Sequence, residues 1–295
     1  MRTLALQGGG TRGKWQAVAL QGLEARTGKP VWQSFDLIGG TSVGAFNGGL
    51  AAVGLPASSV NDFFDQYAPA IFSMHWWQFS VSRLFNSAKY SPFPLEHALQ
   101  ELLGDKTLAD CKTRFVATAV DMASGRNVYF QSYGISSEDS TEIIIAPDSG
   151  IKMWQVLRAS SAAQSYFPGY VWRDKVFWDG GSTGCNAPDM LVFTEAYEQA
   201  MLGEIKMLSL GAGRTAWPFK GADMVNPGIK TVLQATLEIA YACGETNEVW
   251  QAKTLLGKNH TRWNPDLPKD FAIDDASPAT LAALALAAKS QFPDF

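Results

Sequence analysis

Two segments near the start of the chain follow one local plan. TLAL at 3–6 runs into the glycine-rich stretch QGGGTRG at 7–13, and FDLIG at 35–39 runs into GTSVG at 40–44. Each is followed by small and apolar residues at helical spacing, Trp15, Val18, Ala19 and Leu23 in the first case. A strand, a tight turn and a helix, taken twice in succession, require consecutive strands to lie parallel, because the helix must carry the chain back to the edge where the strand began. The expected class is α/β with a mainly parallel central sheet. Further strands are expected at 114–119, 141–145, 175–178 and 206–210, and helices at 13–25, 95–103, 151–161, 188–201 and 230–256. Ser277 before Pro278 marks the start of a last helix.

No repeat, low-complexity tract or Pro/Ser-rich linker interrupts the 295 residues, and SSEDSTE at 136–142 reads as a surface loop, so a single domain over 1–295 is expected. A net charge of -4 without any basic stripe argues against a nucleic-acid polymer as partner. The start shows no signal-peptide pattern, and nowhere is an apolar run long enough to span a bilayer, so a cytoplasmic location is expected. Cys111, Cys185 and Cys243 are odd in number, far apart and without nearby Cys or His, which predicts buried reduced thiols and no metal site. The aromatic-rich segment 71–93 is expected to pack as a lid or groove, with lipid contact as the alternative.

The two turns decide what the sheet serves. Gly8, Gly10 and Gly13 fit the dinucleotide fingerprint G-x-G-x-x-G, which would cradle a pyrophosphate. The same glycines can offer N–H groups to an oxyanion that exists only during a reaction. A dinucleotide site needs an acid at the far end of the second strand to hold a ribose hydroxyl. Asp36 lies at the wrong end of that strand, and the place where the acid belongs leads into Gly40-Thr41-Ser42-Val43-Gly44, which matches the nucleophile elbow G-x-S-x-G. Neighbouring turns at the carboxyl edge of one parallel sheet would put the glycine N–H groups beside Ser42.

A serine hydroxyl is a poor nucleophile until a base takes its proton, and two bases are open. In the usual order of hydrolase triads the histidine comes last, which leaves His260, in the polar, turn-rich stretch LLGKNHTRWNPDLP, rather than His75 or His97. The other is Asp179 in WDGGSTGCNAP, which follows a short apolar strand and precedes Gly180 and Gly181. Glycines there would let another backbone or a substrate come close. A carboxylate base needs a raised pKa, which burial beside Phe177 and Trp178 would supply.

In this order and in these settings, QGGGTRG, GTSVG and WDGG resemble the patatin-like phospholipases. RASSAAQSYFP at 158–168, NAP at 186–188, LSLGAG at 208–213 and IDDAS at 273–277 are similar to further blocks of that family. The resemblance implies a three-layer α/β/α fold and a catalytic dyad of Ser42 as nucleophile and Asp179 as base. It implies an oxyanion hole from the N–H groups of Gly8, Gly9 and Gly10, with Arg12 supporting it or meeting a phosphate. Gly13, Gly40, Gly44, Gly180 and Gly181 would shape the turns. No metal or cofactor is implied. The implied substrate is membrane phospholipid or another acyl lipid, met by peripheral membrane contact, and some bacterial members are held inactive until a cyclic nucleotide switches them on. A small-molecule activator and self-association stay open. Gln7 stands where the family often has aspartate, and Gln164 where it often has proline; because the oxyanion donors are backbone groups, the first departure is expected to matter little.

Overall fold

The computed structural model describes residues 1–73, 88–214, 216–267 and 269–290. β1 (Arg2–Leu6) leads through the glycine turn into α1 (Gly13–Thr27), which Gly28 ends in the left-handed conformation at φ 65°. A short α2 (Val31–Ser34) precedes β2 (Leu37–Gly40), the elbow, α3 (Val43–Ala52) and α4 (Ala57–Ile71). α5 (Phe93–Leu103) is followed by β3 (Arg114–Asp121), β4 (Arg126–Gln131), β5 (Ser137–Glu138), β6 (Glu142–Ile145) and α6 (Met153–Ser160). Then come β7 (Tyr170–Trp172), β8 (Lys175–Asp179), α7 (Asp189–Tyr197), β9 (Lys206–Leu210), α8 (Ile229–Leu256), β10 (His260–Trp263) and α9 (Pro278–Ser290). At the start of α9 the Ser277 hydroxyl accepts the Thr280 N–H at 3.3 Å, the cap read from the sequence.

The strands lie in the order β10-β9-β1-β2-β3-β4-β6-β5. From β10 to β3 all pairs are parallel, and the register brings Trp263, Leu210, Leu6, Gly40 and Ala117 to one carboxyl edge. Side chains alternate across this sheet as its pleat dictates. Leu4, Leu6, Ile38 and Phe115 join one core with Trp15, Leu20, Leu50, Leu99 and Leu284, from α1, α3, α5 and α9. Ala5, Leu37, Val116 and Met207 face the other way and pack against Val192 and Phe193 of α7 and Leu256 of α8. Helices therefore cover both faces, and the fold is a three-layer α/β/α sandwich.

β3 continues past the end of β2 and leaves room for a strand of opposite direction. β8 takes that place, with Asp121 opposite Phe177 and Ala119 opposite Asp179, while Ala117 of the same strand is the partner of Gly40. The chain thus descends toward the carboxyl edge and delivers Asp179 just above the elbow.

Several local expectations differ from the structure. HTRW, read as part of a polar turn-rich stretch, is strand β10, whose two end residues His260 and Trp263 are buried at the sheet's border. Two residues of SSEDSTE form the edge strand β5. Cys243 is exposed, whereas Cys111 and Cys185 are mostly shielded and burial pushes their thiols up to about 12 and about 11. Of the segment 71–93, residues 74–87, His75 among them, lie outside the described residues. On its flanks Tyr90 is buried, with Phe72 at 5.4 Å and Phe167 at 5.8 Å between ring centroids.

Candidate active site

Ser42 occupies the turn between β2 and α3 at φ 56° and ψ -125°, a conformation that a residue with a Cβ avoids unless its surroundings enforce it. Close packing enforces it here. A Cβ on Gly40 would stand 2.4 Å from the backbone of Gly44 and Ala45, and one on Gly44 would stand 2.0 Å from the Leu6 carbonyl oxygen. Both glycines of the elbow are thus required by contact with neighbouring backbone. The Ser42 N–H donates to Ser160 Oγ at 3.0 Å, and the Thr41 hydroxyl donates to the Cys185 carbonyl at 2.6 Å while accepting from Thr118 at 2.8 Å. The elbow is pinned on three sides by α6, β3 and the segment after β8.

Asp179 is 2% exposed at the end of β8. Burial drives its carboxyl up to about 6, and the neighbouring Ser42 side chain and the Gly181 N–H, which donates to Asp179 Oδ1 at 2.8 Å, hold it back from rising further. The Asp179 N–H donates to the Ala162 carbonyl at 3.1 Å, within RASSAAQSYFP, so that block positions both the serine and the acid. Gly180 is close to Thr118, where a Cβ would meet its Oγ1 at 2.2 Å. Beyond it a relay of Tyr241, Gln164 and Ser182 leads back to the Asp179 carbonyl.

The glycine turn stands beside Ser42: a Cβ on Gly8 would approach Ser42 Cβ to 3.2 Å and Asn186 Oδ1 to 2.5 Å. The Gly8 N–H is already used, donating to the Asn186 carbonyl at 2.9 Å. Gly8 is therefore a spacer here, in contrast to the donor role the resemblance implies. The N–H groups of Gly9 and Gly10 make no hydrogen bond among the described residues. Gly10 has φ 58° and faces the Ile273 carbonyl, which a Cβ would strike at 2.0 Å. Arg12 Nε lies 3.5 Å from the Gly9 carbonyl, and its N–H donates to the same oxygen at 3.2 Å, so this cation braces the turn from beneath. Gly13 lets α1 approach α3, since a Cβ would meet Val43 at 2.3 Å.

The other bases and ligands open in the sequence fall elsewhere. His260 lies opposite Met207, near the amino end of its strand, and its Nε2 is bound to Asp189 Oδ1 at 2.8 Å. The Ser42, Asp179, His260 triad is thus not assembled. Asp36 accepts the Arg2 N–H at 2.7 Å, at the end of β1 remote from the glycines, as the argument against a dinucleotide requires. Asn186, Ser160, Thr118 and Tyr241 complete the site without having been singled out as residues, although two of them sit in the blocks NAP and RASSAAQSYFP.

A family model described as patatin-like phospholipase matches residues 4–190, from β1 through the elbow and Asp179 to the start of α7. The chain belongs to the patatin-like phospholipase family. Among curated members, it is 29% identical over 289 residues to a cGAMP-activated phospholipase of Pseudomonas aeruginosa, covering 93% of this chain and 82% of that one. It is 25% identical over 267 residues to a cUMP-AMP-activated phospholipase of Escherichia coli, covering 88% and 78%. The calcium-independent phospholipase A2-gamma of Oryctolagus cuniculus is 29% identical over 301 residues, covering 97% of this chain but 37% of that much longer one. Among solved structures, VipD from Legionella pneumophila superimposes with a TM-score of 0.46 at 12% identity, over 98% of this chain and 65% of that one.

Proposed function

We propose that this patatin-like chain cleaves ester-linked acyl chains from membrane phospholipids through a Ser42–Asp179 dyad, and that a cyclic dinucleotide switches it on. The Asp179 carboxylate takes the Ser42 proton as Oγ attacks the ester carbonyl. The oxyanion of the tetrahedral intermediate sits against the Gly9 and Gly10 N–H groups, and removing one such donor in other hydrolases costs about a hundredfold to a thousandfold. The carboxyl of Asp179 then returns its proton to the leaving lysolipid alkoxide. Water, deprotonated by the same carboxylate, attacks the acyl-enzyme and releases the fatty acid as Asp179 passes the proton to the departing Ser42 Oγ.

The observation that carries this reading is the meeting of a strained serine at φ 56° with a buried carboxyl whose pKa is driven up to about 6, a value suited to a base at neutral pH. Exposed Val225 and Ile229 near the start of α8, with half-exposed Trp217, support transient peripheral contact with a bilayer by a chain that works from the cytoplasm. The switch is supported by the names of the bacterial relatives, cGAMP-activated and cUMP-AMP-activated phospholipases.

The test is fatty-acid release from phospholipid vesicles, read by mass spectrometry with a panel of cyclic dinucleotides added or withheld. Release that depends on one of them is expected. Equal release in every condition would remove the switch, and cleavage of soluble esters with vesicles left intact would make the chain a carboxylesterase instead.

A further inference from the structure

The turn bearing Gly9 and Gly10 is tied to helix α8 by side chains from widely separated parts of the chain. Gln7, the residue before the glycines, is buried, and its Nε2 donates to Glu245 Oε2 at 2.7 Å while its Oε1 accepts from Arg262 Nη2. Arg262 Nη2 also donates to Glu245 Oε1 at 2.9 Å, which closes a ring of three side chains. The ring is anchored outward on both sides. Arg262 Nη1 donates to Ser209 Oγ at 2.7 Å, and Asn264 donates to Glu245 Oε1 at 3.1 Å while accepting the Gly213 N–H at 2.7 Å. Behind the Gln7 backbone, Gln16 Nε2 donates to the carbonyls of Gln7 at 2.9 Å and Gly211 at 2.7 Å.

Successive glycines have more backbone freedom than any other residues and cannot hold two N–H groups in a fixed direction by themselves. The peptide that feeds them here is held at its carbonyl by Gln16 and at its side chain by a charge-assisted ring, the stronger class of hydrogen bond. We infer that Glu245, acting through Gln7 and Arg262, is a positioning residue for the oxyanion donors at Gly9 and Gly10. This rests on the reading of Ser42 as a nucleophile. It also gives Gln7 a reason: an amide can donate to Glu245 and accept from Arg262 at once, whereas an aspartate there would set a second negative charge against Glu245. The departure from the family's aspartate is therefore matched by a partner on α8, against the expectation that it matters little.

The experiment measures the rate of Ser42 phosphonylation by a fluorophosphonate, which needs the same oxyanion donors but no knowledge of the lipid, together with kcat and KM for ester cleavage. Glu245→Ala and Gln7→Met are expected to slow labelling and lower kcat about tenfold to a hundredfold, the scale of a small misplacement in an active site, with KM changed by less than about twofold. The double variant should be no slower than the slower single one, because both break the same ring. Tyr133→Phe, which removes a hydrogen bond to Glu195 of α7, is the control for lost stability and should leave the labelling rate unchanged. Rates are taken per folded molecule by circular dichroism. Unchanged labelling in both single variants, or losses that multiply in the double, would overturn the inference. Wild-type protein that labels at Ser42 but cuts no lipid would refute the phospholipase reading while the labelling rates still judge this one; wild-type protein that never labels would refute both.

Discussion

His260 Nε2 lies 2.8 Å from Asp189 Oδ1, and neither side chain reaches solvent. The histidine that a Ser-Asp-His order would recruit is thus committed to a buried hydrogen bond, with Arg262 Nη1 4.0 Å from the other carboxylate oxygen. Removing that partner leaves the buried Asp189 carboxylate short of a hydrogen bond, which costs about 3 kcal/mol. His260→Ala is expected to lower the unfolding free energy obtained from urea titration by that amount while turnover per folded molecule stays within about twofold of wild type. Turnover that collapses in a folded His260→Ala protein would restore the triad.

The raised carboxyl of Asp179 fixes a pH dependence of both activity and stability. Its base form prevails above about pH 6, so turnover should climb through that pH to a plateau. For stability the sign is opposite. The folded state holds this proton up to about pH 6 and the unfolded chain only to about pH 3.9, so stability falls as pH rises between those values, by about 3 kcal/mol in all. Asp179→Asn should therefore be inactive yet more stable than wild type at pH 7, and urea titrations at pH 4 and pH 7 would measure it.

Gly10 and Gly203 differ in what a side chain there would meet. A Cβ at Gly10 meets the Ile273 carbonyl oxygen at 2.0 Å with φ already at 58°, whereas one at Gly203 meets nothing within 4 Å. Gly10→Ala is expected to cost about a hundredfold or more in kcat through a displaced oxyanion donor, and Gly203→Ala should change nothing in the same assay.

Ser160 offers a subtler perturbation, because it is itself fully buried and its hydroxyl accepts the Ser42 N–H at 3.0 Å. Ser160→Ala leaves that N–H unpaired, worth about 1–3 kcal/mol, in a residue whose backbone is already held at positive φ. A fall in unfolding midpoint together with at least about tenfold slower turnover is expected. A stability loss with unchanged kcat would mean that the elbow keeps its shape without this contact.

What could be read beforehand was local. Gly40, Ser42 and Gly44 declare an elbow because the steric demand of the turn acts over five residues, and the place of Asp179 at a strand end is legible because a strand and two glycines frame it. The alternation of Leu4, Ala5 and Leu6 across the sheet follows from the pleat. What escaped notice depends on distant meetings: the Asn186 carbonyl that consumes the Gly8 N–H, Ser160 reaching an N–H 118 positions away, and Glu245 bonded to Gln7 across 238. HTRW lacks the apolar run of a buried strand because it lies at the sheet's border, where β9 alone supplies its ladder. Cys243 is exposed on a helix whose small residues carry no clear periodicity to mark its outer side.

The most direct measurement is phospholipid turnover, under whatever condition activates the wild-type protein, by Ser42→Ala and Asp179→Asn variants shown to be folded. The account predicts that each loses about a thousandfold or more, since nucleophile and base act as one unit. Fatty-acid release by Ser42→Ala at the wild-type rate would contradict it.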